Sequence, residues 1–210
     1  MASIHQSECG LGLSAIEERL PDEVTFVFGQ HWLQHTGHGF APGTVKLGKQ
    51  DNALVVFAEL VDESVNRESY ALNYPAFKQC DAFEIFLHAA GASSYHEFHV
   101  TPSNSRLQLR IPVTGPTRLA LTECAVSERL FRSEARIRPP GWQVAAVIPL
   151  APLCEVAAVP DEWACSFGRY DYTAGNPEPV ISSTSRHTIC SFHRRHEWTV
   201  VDLRKLPSVL

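Results

Sequence analysis

Apolar side chains recur at every second position in short runs over most of the chain, and Gly, Pro, Asn and Ser separate the runs, which is the pattern of strands and turns. Leu54, Val56, Ala58 and Leu60 alternate with Val55, Phe57, Glu59 and Val61, so a central strand covered on both faces is expected. Phe83, Ile85 and Leu87 alternate with Glu84, Phe86 and His88, which sets an acid beside an aromatic on the second face. In 106–111 the pattern turns Leu107, Leu109 and Ile111 inward and Arg106, Gln108 and Arg110 to water. Phe131 to Arg138 repeats it, with Ser133, Ala135 and Ile137 inward. Further strands are predicted over 119–126, 142–148, 164–172 and 198–203, the second of these stopped by Pro149, which has no amide to continue a ladder. Helical spacing appears over Ser14 to Leu20 and after Pro149 at Leu150, Leu153 and Val156, both expected at the periphery. Parallel strands would need crossover helices that the pattern does not contain. The expectation is therefore an all-β, antiparallel β-sandwich of jelly-roll or immunoglobulin-like type. It would span 21–204, with 1–20 as an N-terminal extension and 205–210 as a tail. Two long connections, 61–79 and 175–190, would carry the binding surface.

With 210 residues, 44% of them apolar, the chain can bury its core as one domain. Eighteen basic and 23 acidic side chains leave a formal charge of −5, which argues against nucleic acid as a partner. No run of about 18 apolar residues occurs, so no membrane-spanning helix is expected. The first 20 residues carry Glu8, Glu17 and Glu18 and no basic n-region. A cytoplasmic location is the expectation, or a periplasmic or extracellular one for a chain whose signal has been removed. The six cysteines, 9, 80, 124, 154, 165 and 190, form no C-x-x-C pair and are expected reduced and buried.

Ten histidines raise the question of metal. His31, His35 and His38 stand near Gly37 and Gly39 without a neighbouring Cys or carboxylate, and His96 and His99 face opposite ways if strand-borne, so no metal site is expected. No G-x-S-x-G occurs. The carboxylate pairs worth testing for glycoside chemistry are Glu84 with Glu97 or with Asp171, and catalysis is not the expectation. Arg106, Arg110, Arg132, Arg136 and Arg138 would form a basic stripe for acidic glycans if their strands were neighbours, and a solvated face otherwise.

Several segments occur in a telling order: Asp81-Ala-Phe-Glu84-Ile-Phe-Leu87, Tyr95-His-Glu-Phe98-His-Val100, Gly141-Trp142 running to Ile148-Pro149-Leu150, Trp163 with Phe167-Gly-Arg169-Tyr170, and Ser191-Phe192-His193 before Trp198 to Leu203. Together they resemble the family 9 carbohydrate-binding modules and their DOMON-like relatives, over roughly 21–204. The resemblance implies a jelly-roll-like sandwich whose loops at one end receive a sugar or, in some relatives, haem. By motif alignment Phe77 and Phe192 match the two tryptophans that sandwich the sugar, while Glu84, His99 and Arg169 match polar positions around it. A phenyl ring offers less area and a weaker π-face than indole, so weaker binding or a different ligand is expected. The structural alternatives are a partly buried Glu84–Arg169 ion pair and two phenylalanines that only fill the core. Haem is not expected, because Met1 is the sole methionine and only His99 or His193 would serve as axial histidines. Structural calcium, known in related modules, has Asp62, Glu63, Asp81 and Asp161 as candidate ligands. The functional expectation is a non-catalytic module with carbohydrate as partner. The alternative is a protein-interaction or scaffold domain that kept the sandwich and lost the site.

Overall fold

The computed structural model describes residues 12–22, 25–114, 119–156, 158–173 and 176–209. The alternating runs become β1 (Thr25–Val27), β2 (Gly43–Gln50), β3 (Ala53–Val61), β4 (Ala82–Ala89), β5 (Ser94–Val100), β6 (Arg106–Pro112), β7 (Arg132–Arg138), β8 (Gly141–Pro149), β9 (Glu162–Asp171), β10 (Val180–Ser183) and β11 (Thr199–Asp202). They pair antiparallel in two sheets. The first has the order β1-β2-β3-β8-β7; the second runs β10-β9-β4-β5-β6, with β11 also on β9. An all-β antiparallel sandwich is thus the fold.

The layer between the sheets takes Leu54, Val56, Val144 and Trp142 from the first and Phe83, Ile85, Phe98 and Phe167 from the second, with Phe83 and Phe167 stacked at 5.9 Å. Each fully buried side chain of this size is worth about 1.5–3 kcal/mol in water-to-core transfer. The far face of the first sheet is apolar too, as the two-sided β3 pattern required. Val55, Phe57, Ala145 and Val147 are covered there by Leu13 and Ile16 of helix α1 (Leu13–Arg19), by Leu20 and by Val209. The end of the chain is stitched on, since Lys49 N donates to Pro207 O at 2.8 Å and Val209 N donates to Lys49 O at 3.0 Å. Parts of the expected extension and tail are therefore packed components of the sandwich.

Four expectations need correction. Leu107, Leu109 and Ile111 do not turn inward: they pair with His99, Glu97 and Tyr95 and share the outer face of the second sheet. Gln108 is the inward residue, 1% exposed, satisfied by Val126 O at 2.7 Å and by Leu130 N at 3.1 Å. Alternation separates two faces without saying which one the core takes. Segment 119–126 is not a strand; Leu121–Cys124 forms a short helix, α2, and Glu123 accepts from Ala120 N at 2.7 Å. After Pro149 only a 3-10 turn forms, Ala151–Leu153, which leaves Val156 in solvent. The arginines make no single stripe, because Arg106 and Arg110 belong to the second sheet while Arg136 and Arg138 meet Glu17 of α1 beside the first.

Candidate functional site

Strand alternation aims Glu84 of β4, Tyr95, Glu97 and His99 of β5, and Gly168 and Tyr170 of β9 at the outer face of the second sheet, since directly opposed residues share a face. Two loops rise beside them. The first, 62–79, carries Phe77 on a 3-10 turn, Ala76–Lys78. It is held to β6 by Asn73, whose φ of 64° suits Asn better than most residues. Asn73 N donates to Arg106 O at 2.8 Å, its Oδ1 accepts from Gln108 N at 3.0 Å, and its Nδ2 donates to Val126 O at 2.9 Å. The second loop, 184–198, carries Phe192 and His193. Glu197 organises it by accepting from His187, Thr188 and Arg194, and this donor set, the arginine first, holds its carboxyl well below the usual carboxylate range. Trp198 Nε1 closes the loop on Phe192 O at 2.7 Å.

Between the loops lies an open cleft of about 800 Å³, lined by Phe77, Glu84, Tyr95, Glu97, Tyr170 and Phe192 among others. Phe77 and Phe192 flank Tyr170, with ring centroids 5.4 and 6.0 Å from it. They are not equivalent. Phe192 is 6% exposed and packs against Trp32, Phe86, Tyr170 and His187, so it serves as wall and floor rather than as a free clamp; Phe77 is the half-exposed ring. Gly168 makes this packing possible, because a Cβ there would stand 2.8 Å from the Phe192 ring and 2.9 Å from Glu84 Oε2.

The floor carries two carboxylates bridged by an imidazole. His99 Nε2 lies 2.5 Å from Glu97 Oε1, and His99 Nδ1 makes a 3.2 Å ionic contact with Glu84 Oε1 that is not aligned as a hydrogen bond. Burial raises the Glu84 carboxyl well above the carboxylate range, an effect opposed by His99 and reinforced by Glu97. Burial alone would depress His99, but the two flanking glutamates outweigh it and raise its pKa. Glu84, Glu97 and His99 are close enough to gather round a metal ion, yet each ring nitrogen faces a different carboxylate, which fits a shared proton better than a shared metal. His99 is therefore beneath the cleft and positions Glu84 and Glu97. Glu97 Oε2 has no hydrogen-bond partner and stands 3.8 Å from His193 Nδ1, which itself meets Tyr95 Oη at 2.9 Å.

Arg169 is a correction. It pairs across β4 with Phe83, not with Glu84, so it points away from the cleft and neither joins a ligand site nor pairs with Glu84. It lies 1% exposed at the sandwich rim, bonded to Asp171 at 2.8 Å and Ala41 O at 3.2 Å, and 3.7 Å from Asp62. Asp171, on the same inward face, is equally unavailable as a carboxylate partner for Glu84. Asp62, Asp81 and Asp171 converge. Burial first, and Asp62 with it, pushes Asp81 up to about 7 and Asp171 to about 6, the latter opposed by Arg169. For calcium, Asp62 and Asp81 do come together, but Asp81 spends its oxygens on Asn66 N and Tyr172 N, and the Arg169 guanidinium already supplies the counter-charge. A calcium ion there would have to displace the Arg169 guanidinium, so the set is built as an ion-pair cluster. Glu63 is exposed, and Asp161 lies apart beside Arg204 at 3.4 Å. His31, His35 and His38 join no metal-ligand cluster among the described residues.

Tyr95, Gly168, Tyr170, His193 and Arg195 escaped the sequence reading as site residues. Parity with His99 along β5 pointed to Tyr95; the face of Tyr170 is set by the register of β9 on β4, and for the loop residues no periodic signal exists.

No family model matches the chain, and no curated protein matches it in sequence. Solved structures do resemble it. A "putative carbohydrate-binding protein" of Bacteroides uniformis superposes with a TM-score of 0.65 at 12% identity, over 85% of each chain. A family 9 carbohydrate-binding module of Caldicellulosiruptor kristjanssonii, in complex with glucose, gives 0.55 at 17% identity, over 80% of this chain and 78% of that one. The cellotriose complex of such a module from the same organism gives 0.53 at 17%, over 80% and 77%. The fold is thus like that of the family 9 modules; the DOMON side of the resemblance stays an expectation from sequence.

Proposed function

We propose that this protein binds carbohydrate in the cleft over the second sheet and does so without catalysis. The observation that carries the reading is an open cleft of about 800 Å³ in which aromatic rings stand over a buried carboxylate floor. That volume falls within the range of sites for small organic ligands. Phe77, with Tyr170 and the edge of Phe192, offers aromatic surface to sugar C–H bonds. Glu84 and Glu97, held by His99, accept from hydroxyls, and a protonated Glu84 donates as well. The solved relatives bound to glucose and cellotriose support carbohydrate as the ligand class. The Glu84–His99–Glu97 bridge orders these acceptors before a ligand arrives, which lowers the entropic penalty of binding.

Isothermal titration against mono- and oligosaccharides tests this directly. Heat is expected with the parent protein, with a loss of up to about tenfold in affinity for Glu84→Gln, which alters a neutral hydrogen bond worth about 0.5–1.5 kcal/mol, and a similar loss for Phe77→Ala, which removes an aromatic contact worth about 0.5–1.5 kcal/mol. Silence towards every glycan would end the reading and leave the interaction-domain alternative.

A further inference from the structure

The two sides of the cleft differ in kind, and a bare sugar uses only one of them. On one side stand Glu84, Tyr95, Glu97, Tyr170, His193 and Arg195, the last with its guanidinium 5.8 Å over the Tyr95 ring. On the other stand Leu109, Ile111, Val113, Leu119 and Leu121, with no charged or hydroxyl-bearing side chain among them. Register makes the boundary sharp: Leu109 is directly opposite Glu97 and Ile111 directly opposite Tyr95, so the change from polar to aliphatic falls between β5 and β6. Ile111, Val113, Leu119 and Leu121 are only half-buried, and they line the cleft together. Aliphatic branched side chains stack poorly on a pyranose, whose recognition favours flat aromatic faces; they suit an acyl or alkyl chain.

Resting on the carbohydrate reading above, we infer that the ligand is an amphiphilic glycoside: a sugar head over Glu84 and Glu97, and a linear aliphatic substituent laid along the Leu109–Leu121 wall. The head takes the side with fixed acceptors, where apolar groups would strand Glu97 Oε2 without a partner. The tail takes the side where water has nothing to bond to.

The test uses methyl, butyl and hexyl glycosides of glucose, galactose and xylose, titrated below their micelle thresholds into the intact protein. Each methylene laid on the wall multiplies affinity by about fourfold, so the hexyl member of the recognised sugar binds at least tenfold more tightly than its methyl counterpart. Leu121→Ser, which alters one of the five wall side chains, lowers hexyl glycoside affinity several-fold more than methyl glycoside affinity; an equal loss for both members counts against the wall. Equal affinity for methyl and hexyl members overturns this inference while the carbohydrate reading stands. Binding of hexanol as strong as that of any hexyl glycoside overturns it as well, by removing the head from recognition. Absence of binding by every glycoside removes both.

Discussion

Gly168→Ala isolates the packing beneath the cleft. In a strand interior, alanine would normally be favoured over glycine by about 0.5–1 kcal/mol, because glycine loses more chain entropy on folding. Here the added Cβ stands 2.8 Å from two carbons of the Phe192 ring and 2.9 Å from Glu84 Oε2. Glu84 ends in a rotatable carboxylate, but it is 2% exposed and engaged with His99. Phe192 is wedged among Trp32, Phe86, Tyr170 and His187, and its carbonyl is bonded to Trp198. Neither can retreat freely, so overpacking of about 1–3 kcal/mol outweighs the entropic gain. Net of the entropic gain of about 0.5–1 kcal/mol, and with a urea slope of about 2 kcal/mol per molar, the unfolding midpoint drops by up to about 1.2 M at an unchanged slope. Saccharide affinity falls with it. Phe192→Leu in the same chain relieves the clash, so the double variant is more stable than the sum of the single effects predicts. A Gly168→Ala protein as stable as its parent, or strict additivity with Phe192→Leu, refutes the argument.

Two further outcomes follow from the inward face. Arg169→Leu leaves Asp62, Asp81 and Asp171 without their guanidinium and costs about 3–5 kcal/mol in thermal or urea unfolding, while the remaining folded protein keeps the parent's saccharide affinity; a selective loss of binding would return Arg169 to the ligand site. Asp62→Asn acts through pH. Asp81 at about 7 and Asp171 at about 6 lie above their ordinary 3.8, so the folded state holds more protons than the unfolded one between about pH 4 and 7, and stability from these groups declines as pH rises through that window. Asp62 reinforces both upward shifts, so the stability of Asp62→Asn falls less steeply than the parent's between about pH 4 and 7; equal slopes in the two proteins would contradict this.

The carboxylate that anchors the cleft was readable from the chain, because Glu84 follows an alternation whose other members are unmistakably core. Two-sheet antiparallel architecture was readable for the same reason: period-two runs without crossover helices admit few arrangements. The chain alone could not choose which face of β6 the core would claim. Leu107, Leu109 and Ile111 cover the outer surface because α2 and Phe77 come to lie there, and Gln108 is tolerated inside because the carbonyl of Val126 reaches it. Arg169 illustrates a tighter limit. Its face follows from pairing with Phe83 rather than Glu84, and a register offset of one residue would reverse it; register is settled by partners distant in sequence. Likewise, Phe192 belongs to a loop with no periodicity of its own. Glu197, Trp198 and the missing side chain of Gly168 decide how deep that ring sits, and those contacts exist only once β9 and the loop have come together.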